Sequence, residues 1–85
     1  MTPDMIEKFV ANKLNKGKTV NIHFKDRQPV KGLFVKSPDY EELKSKNFWR
    51  IVNSQHFDQW NDSKDMSLSR LFNGASFTRL SEENS

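Results

Sequence analysis

Apolar residues near the start of the chain recur at three- and four-residue spacing, which is typical of one face of an amphipathic helix. We predict this helix over residues 3–16, because Thr2 and Pro3 suit a helix start and Gly17 suits a helix end. The predicted apolar stripe consists of Met5, Ile6, Phe9, Val10 and Leu14. We expect the stripe to pack on the core of its own domain, with docking on a partner chain as the alternative.

Further along the chain the pattern changes to strict alternation, which is typical of half-buried strands. The first such strand is predicted over residues 19–25. Its apolar positions are Val20, Ile22 and Phe24. A turn over residues 26–29 leads into a second strand over residues 30–36. Gly32 interrupts this strand, and we expect a bend or bulge there because a missing Cβ lets the backbone coil tightly.

The second half of the chain adds three more predicted strands. Residues 48–53 are an apolar run with large side chains at successive positions, so we predict a strand that is covered on both faces, one of them by the N-terminal helix. The last two strands are predicted over residues 66–72 and 77–80. A break at Asn73 and Gly74 separates them.

Two segments between the strands have ambiguous patterns. Residues 40–46 fit either a single helical turn or a polar loop. Residues 54–65 fit either a long loop or a short helix capped by Ser54, and we favour the helix because Phe57 and Trp60 are three residues apart. Together with the N-terminal helix, five strands predict a mainly β fold, a small five-stranded barrel.

The length of 85 residues is enough for one domain. We predict a single domain over residues 1–85, with the barrel at about 18–80 and a frayed polar tail at 81–85. The chain has no cysteine, which favours a reducing cytoplasmic setting. No apolar stretch approaches the roughly 20 residues that a bilayer span needs, and the first residues lack a signal-peptide pattern. We therefore expect a soluble cytoplasmic domain with no membrane partner.

Positive charge is concentrated in the first half of the chain. The formal net charge is +3, and residues 13–36 hold seven basic residues against one acid, Asp26. Such a cluster attracts phosphates or acidic protein surfaces, although exposed lysines also serve as ordinary solubilising residues. The predicted phosphate contacts are Lys18, Lys25, Arg27, Lys31 and Lys36.

The residue patterns that catalysis needs are poorly represented. Neither His23 nor His56 has a carboxylate or a second histidine at ligand spacing, which argues against a metal site. The three glycines are isolated, so the chain has no Gly-rich phosphate loop and no dinucleotide-binding turn. We therefore predict no enzyme activity, no cofactor and no metal ion.

The mixture of basic and aromatic residues points to nucleic acid instead. Single-stranded nucleic acid is bound by positive grooves that follow the phosphates and by aromatic faces that stack on bases. Tyr40, which follows the basic hairpin, and Trp60 are the candidate stacking faces. The aromatic residues that fall on the apolar faces of predicted strands are assigned to the core: Phe24, Phe34, Trp49 and Phe77.

Two segments resemble the sequence motifs of the Sm-like family, which includes the bacterial Hfq type. Residues 17–40 are similar to its first motif, with a Gly-Lys entry, an alternating strand, an Asp-containing turn, a strand with an interior glycine and a loop with an aspartate. Residues 71–77 are similar to the turn of its second motif. Asn73 stands where the family usually has arginine, and Glu41 and Glu42 follow Tyr40 in the RNA-contacting loop.

This resemblance implies an Sm-like barrel that forms a ring, in which the fourth strand of one subunit pairs with the fifth strand of the next. It also implies that single-stranded RNA binds around the pore through Asp39 and Tyr40 in one loop and Asn73 and Gly74 in another. We therefore predict a non-catalytic RNA-binding or RNA-regulatory module. The alternative is a protein-interaction or assembly module of the SH3-like barrel type, in which residues 57–60 bind a partner peptide.

Overall fold

The computed structural model describes residues 1–11 and 18–82. The predicted helix positions 12–16, the predicted helix end at Gly17 and the last three residues of the predicted tail lie outside these ranges. The helices and strands, in chain order, are α1 (Pro3–Val10), β1 (Val20–Phe24), β2 (Val30–Phe34), α2 (Tyr40–Ser45), β3 (Phe48–Asn53), α3 (Phe57–Ser63), β4 (Ser69–Asn73) and β5 (Phe77–Glu82). Three short 3₁₀ turns connect them, at Ser54–His56, Met66–Leu68 and Gly74–Ser76.

The five strands form one antiparallel sheet in the order β4-β3-β2-β1-β5. The prediction of a mainly β fold with an N-terminal helix and five strands is therefore confirmed. The sheet is not closed, since β4 and β5 form its two edges.

Helix α1 begins as its sequence predicts. The Thr2 side chain accepts a hydrogen bond from the backbone N–H of Met5, and Pro3 occupies the first helical turn. Ile6 and Val10 are completely buried against the sheet. Met5 was also assigned to the packed stripe, but its side chain is 55% exposed and points away from the core.

Two hydrophobic clusters cover opposite faces of the sheet. The first cluster contains Trp49 and Ile51 of β3 together with α1. The second contains Val52 of β3 and Trp60 of α3. The prediction that β3 is covered on both faces, with the N-terminal helix as one cover, is therefore confirmed, and α3 is the other cover.

The ambiguous segments are both partly helical. Residues 40–45 form the helix α2 rather than a loop. The short helix favoured for residues 54–65 is present as α3, but Ser54 does not cap it. Instead, the side-chain oxygen of Asn53 accepts from the N–H of Gln55 and starts a 3₁₀ turn that leads into α3.

Several strand boundaries differ from the prediction by one to three residues. Strand β1 is one residue shorter at each end, and β2 ends two residues early, at Phe34. Residues 66–68 form a 3₁₀ turn rather than the start of β4, because the Asp65 carboxylate accepts from the backbone N–H of Ser67. At the other end, β5 extends through Ser81 and Glu82, which pair with β1. These two residues were predicted to lie in a frayed tail.

Gly32 is explained by a close approach. A Cβ atom at this position would lie 2.5 Å from Cγ2 of Ile51 on the neighbouring strand, inside any real carbon–carbon contact. The irregularity of the sheet lies elsewhere, because the pairing of β1 with β5 shifts register between His23 and Phe24.

None of the described helices combines the length and the apolar character needed to cross a membrane.

The close approach at Gly32 predicts a specific energetic coupling. Gly32→Ala should lower the free energy of unfolding by about 1–3 kcal/mol, because the added methyl group overpacks the Ile51 side chain. Ile51→Leu removes the Cγ2 methyl group while keeping the side-chain volume, so it should recover part of this loss. Urea unfolding of the two single variants and the double variant measures the coupling, which should exceed about 0.5 kcal/mol. Strictly additive effects would contradict this explanation.

Candidate nucleic-acid interface

A cavity of about 420 Å³ lies between the turn that joins β1 to β2 and the strand β4. It is lined by Arg27, Ile51, Asn53, Gln55, His56, Leu68, Arg70, Leu71, Phe72 and Asn73. Its volume lies within the range of about 300–1,000 Å³ that is usual for small-ligand sites. The cavity joins residues that are up to 46 positions apart in the sequence, Arg27 and Asn73.

The pairing of β3 with β4 sets one wall of the cavity. Arg70 is directly opposite Ile51, and Phe72 is directly opposite Trp49. Cross-strand partners in a sheet project to the same face, so Arg70 and Phe72 lie on the face that carries the first hydrophobic cluster. Phe72 is partly buried against that cluster, whereas Arg70 remains exposed.

The turn after β1 supplies the opposite wall. The Arg27 guanidinium carbon lies 5.0 Å from the centroid of the Phe24 ring, a distance at which a cation and an aromatic face attract each other. The Phe24 ring in turn lies 5.9 Å from the Phe72 ring. This chain of contacts ties the turn to β4 and holds Arg27 beside the cavity.

The polar groups of the cavity are mainly hydrogen-bond donors. No carboxylate lines it among the residues that the structure describes. The side-chain oxygens of Asn53 and Asn73 already accept from the backbone N–H groups of Gln55 and Ala75, at 3.0 and 2.9 Å. The amide NH₂ groups of both asparagines are therefore the ends left for a ligand.

Most of the predicted phosphate contacts lie outside this cavity. Lys18, Lys25, Lys31 and Lys36 are exposed, but none of them lines it. Lys31 pairs with Asn21 across β1 and β2, between core-facing neighbours, so it lies on the other face of the sheet. Of the eight predicted site residues, the structure brings together Arg27 and Asn73.

The structure places Tyr40 in the hydrophobic core. Its side chain is 7% exposed, and its ring packs edge-on against Trp49 with the centroids 6.0 Å apart. Its hydroxyl donates to the Glu7 carboxylate at 3.3 Å. Burial and the nearby charge of Glu7 raise the pKa of Tyr40 to about 12. The ring therefore presents no free face on which a base could stack.

Gly74 and Trp60 are also committed to packing. A Cβ atom on Gly74 would collide with the side chains of Asn47 and Ile6, and its backbone N–H donates to the carbonyl of Asn47 at 2.8 Å. Trp60, the second candidate stacking face, is 6% exposed and belongs to the cluster beneath α3.

The acidic residues after Tyr40 do not face the cavity. They lie on α2, where Glu41 forms an ion pair with Lys44 at 2.9 Å and Glu42 forms one with Lys46 at 3.6 Å. Lys44 also contacts Glu7 at 2.7 Å. The hydrogen bond from Lys44 lowers the pKa of Glu7. In turn, the hydrogen bonds to Glu7 and Glu41 raise the pKa of Lys44.

Asp39 holds the loop before α2 rather than facing a ligand. Its carboxylate receives two hydrogen bonds from the Arg50 guanidinium, at 2.8 and 3.3 Å, and a third from the Ser37 hydroxyl. The hydrogen bonds from Arg50 and Ser37 lower the pKa of Asp39 from its ordinary 3.8 to about 2. Arg50, on the outer face of β3, is thereby neutralised.

Four polar residues of the cavity were not predicted from the sequence: Asn53, Gln55, His56 and Arg70. One of them had a visible signal, because Arg70 occupies an apolar position in the alternation of Leu68, Arg70 and Phe72. His56 lies close to Gln59, with Nδ1 3.3 Å from the side-chain oxygen. Within residues 1–11 and 18–82, no three His, Cys, Asp or Glu side chains lie close enough together to hold a metal ion.

The contacts of Asp39 predict a pH-dependent contribution to stability. The pKa of Asp39 is lower in the folded state than in the unfolded state. The contribution is therefore fully present above about pH 4 and is lost as the pH falls towards 2. Asp39→Asn should therefore destabilise the protein at pH 6, and the difference from wild type should shrink between pH 4 and pH 2 in urea unfolding. Asp62→Asn, an exposed carboxylate on α3, is the control. A difference that stays constant with pH would contradict this assignment.

Comparisons of this chain with protein-family models, with curated proteins and with solved structures found no match. The Sm-like resemblance therefore stays a prediction.

Proposed function

We propose that this chain is a non-catalytic module that binds single-stranded RNA, and that the cavity between the β1–β2 turn and β4 contacts the strand. The observation that carries this proposal is the composition of the cavity. It combines two arginines with amide donors and an apolar floor, and no described carboxylate opposes them. Since the chain has no cysteine, we expect it to act in the reducing cytoplasm.

The chemistry of single-stranded RNA matches these groups. Its phosphates attract guanidinium groups, and its unstacked bases expose flat apolar faces and hydrogen-bonding edges. Arg27 and Arg70 suit the phosphates, and the half-buried ring of Phe72 offers apolar surface to a base. The lysines outside the cavity, such as Lys25, extend the positive surface along the β1–β2 hairpin.

We also propose the finer fold, an Sm-like barrel that assembles into a ring. Its support is the strand order, in which the open edges belong to β4 and β5. It is supported further by the N-terminal helix and by the 3₁₀ turn Gly74–Ser76 that joins the two edge strands. Pairing of β4 with β5 of a second copy would satisfy both edges, which otherwise present unpaired backbone groups.

A protein-interaction module is the second candidate function. The observation that favours it is the exposure of Leu71, 50% of whose side chain is accessible on the edge strand β4. An extended peptide adds readily to such an edge. The segment 57–60, which the sequence suggested for this role, is instead occupied in covering the second hydrophobic cluster.

Charge reversal in the cavity tests RNA binding. Arg70→Glu and Arg27→Glu should each weaken binding of a fluorescent single-stranded RNA about tenfold or more, because each replaces a cation beside a phosphate with a repulsive charge. Each should also reduce the slope of log affinity against log salt by about 0.7 for every phosphate that the variant no longer neutralises. Fluorescence anisotropy at several salt concentrations measures both quantities.

Lys8→Glu is the matched control, because it changes the net charge by the same amount on the exposed side of α1. It should alter RNA affinity far less than Arg70→Glu. Equal losses of affinity for all three variants would mean that only net charge matters. Tight capture of a protein partner, insensitive to salt and to both arginine variants, would favour the interaction module instead.

Light scattering tests the ring. At high micromolar concentration the mass of the particle should be several times the 10.0 kDa mass of one subunit. Leu71→Lys places a charge on the edge of β4 and should shift the protein to the monomer. Met5→Lys, the same change at an exposed apolar residue of α1, should leave the assembly intact. A wild-type monomer would exclude the ring without affecting the cavity.

A further inference from the structure

We infer that the cavity takes up one nucleotide as a unit, with its phosphate held by donors from two walls and its base against the apolar floor. This inference rests on the proposed RNA-binding function, but it goes further because it names the ligand that the cavity recognises by itself. It follows from three features of the lining: the direction of its hydrogen bonds, the source of its charges and its size.

The first feature is that the two asparagines have a fixed orientation. A backbone N–H can bond to the oxygen of a side-chain amide but not to its NH₂ group. The bonds to the N–H groups of Gln55 and Ala75 therefore identify the occupied oxygens of Asn53 and Asn73. Both asparagines line the cavity, and the ends that these bonds leave unoccupied are the NH₂ donors. A ligand with many acceptor oxygens satisfies them, and a ligand made of donors does not.

The second feature is that the two cations come from different elements. Arg27 belongs to the β1–β2 turn and is held beside the Phe24 ring, whereas Arg70 belongs to β4. Guanidinium groups on two walls can contact separate oxygens of one phosphate group, which favours an oxyanion over a neutral ligand. No described carboxylate lines the cavity to neutralise them.

The third feature is that the cavity is larger than a phosphate and partly apolar. Its volume is about 420 Å³, whereas one water molecule occupies roughly 30 Å³ in liquid water. An inorganic anion alone would therefore leave most of the cavity unfilled. The partly exposed side chains of Leu68 and Phe72 contribute the apolar part. A base that covers them gains hydrophobic and stacking energy, which a free phosphate does not gain.

The test is a titration of the isolated protein with small ligands, in which NMR spectra recorded at each ligand concentration report binding. The probes are each of the four ribonucleoside 5′-monophosphates, the matching nucleosides and inorganic phosphate. At least one monophosphate should bind in the millimolar range or tighter, about tenfold more tightly than its nucleoside or phosphate alone. The side-chain NH₂ signals of Asn53 and Asn73 should shift on binding.

Asn73→Asp is the most specific variant. It keeps an oxygen that accepts from Ala75, so the turn remains capped, but it replaces the NH₂ donor with a negative oxygen. Monophosphate affinity should fall about tenfold or more, while the urea midpoint stays close to wild type. Asn61→Asp, an exposed residue of α3, adds the same charge far from the cavity and should leave the affinity unchanged.

Arg70→Gln and Arg27→Gln should each reduce the advantage of the monophosphate over its nucleoside. The inference is overturned if no monophosphate shifts the asparagine signals at concentrations up to about 10 mM. It is also overturned if inorganic phosphate alone binds as tightly as the monophosphates. These failures are separable from failure of the proposed function. RNA binding that is sensitive to Arg70→Glu without any monophosphate binding would refute the single-nucleotide site alone. Monophosphate binding without RNA binding would refute the RNA module and retain the site.

Discussion

Strand β3 must be covered on both of its faces, and the positions of the other elements follow from this constraint. Trp49 and Ile51 project to one side and Val52 to the other. Complete burial of each such side chain contributes about 1.5–3 kcal/mol, so uncovering either face would remove much of the stability of a small domain. Helix α1 therefore lies on one face of the sheet, and the chain returns after β3 to place α3 on the other.

The cavity is a consequence of an interruption in this packing. On the inner face of β4, Phe72 packs towards Phe24, but the next residue on that face is Arg70. An arginine cannot be buried without a partner at acceptable cost, so hydrophobic packing stops where Arg70 begins. The sheet stays open to water at Arg70, which lies over the buried Ile51, and the turn that carries Arg27 forms the other wall. The same arginine that leaves the sheet face uncovered supplies the site with its charge.

Alternation and capping residues were enough to predict much of the fold. The start of α1 was predicted from Thr2 and Pro3, and the two-sided burial of β3 from its continuous apolar run, because both signals are local. Local patterns do not show which aromatic residues the tertiary structure covers. Tyr40 follows a turn in a polar stretch, and only long-range contacts with Trp49 and Glu7 bring it into the core.

The candidate site was less predictable for the same reason. Arg27 and Asn73 were identified from charge and from the family resemblance, but Arg70, inside the strand predicted over residues 66–72, was not. Its importance depends on which residue lies opposite it, and cross-strand register is a property of the folded sheet. His56 and Gln55 join the site only through the 3₁₀ turn that follows β3. Contacts between distant segments of the chain therefore decide most of the site.

The distribution of charge matters more here than its sum. The net charge is only +3, and acids directly follow the predicted RNA loop. In the folded protein these acids form ion pairs on α2, and Asp39 is held by Arg50. Screening at physiological salt weakens interactions between exposed charges beyond about 8 Å, and each of these acids already has a cationic partner within 4 Å. Arg27 and Arg70 thus line a cavity to which no described carboxylate contributes, although the protein as a whole is only weakly basic.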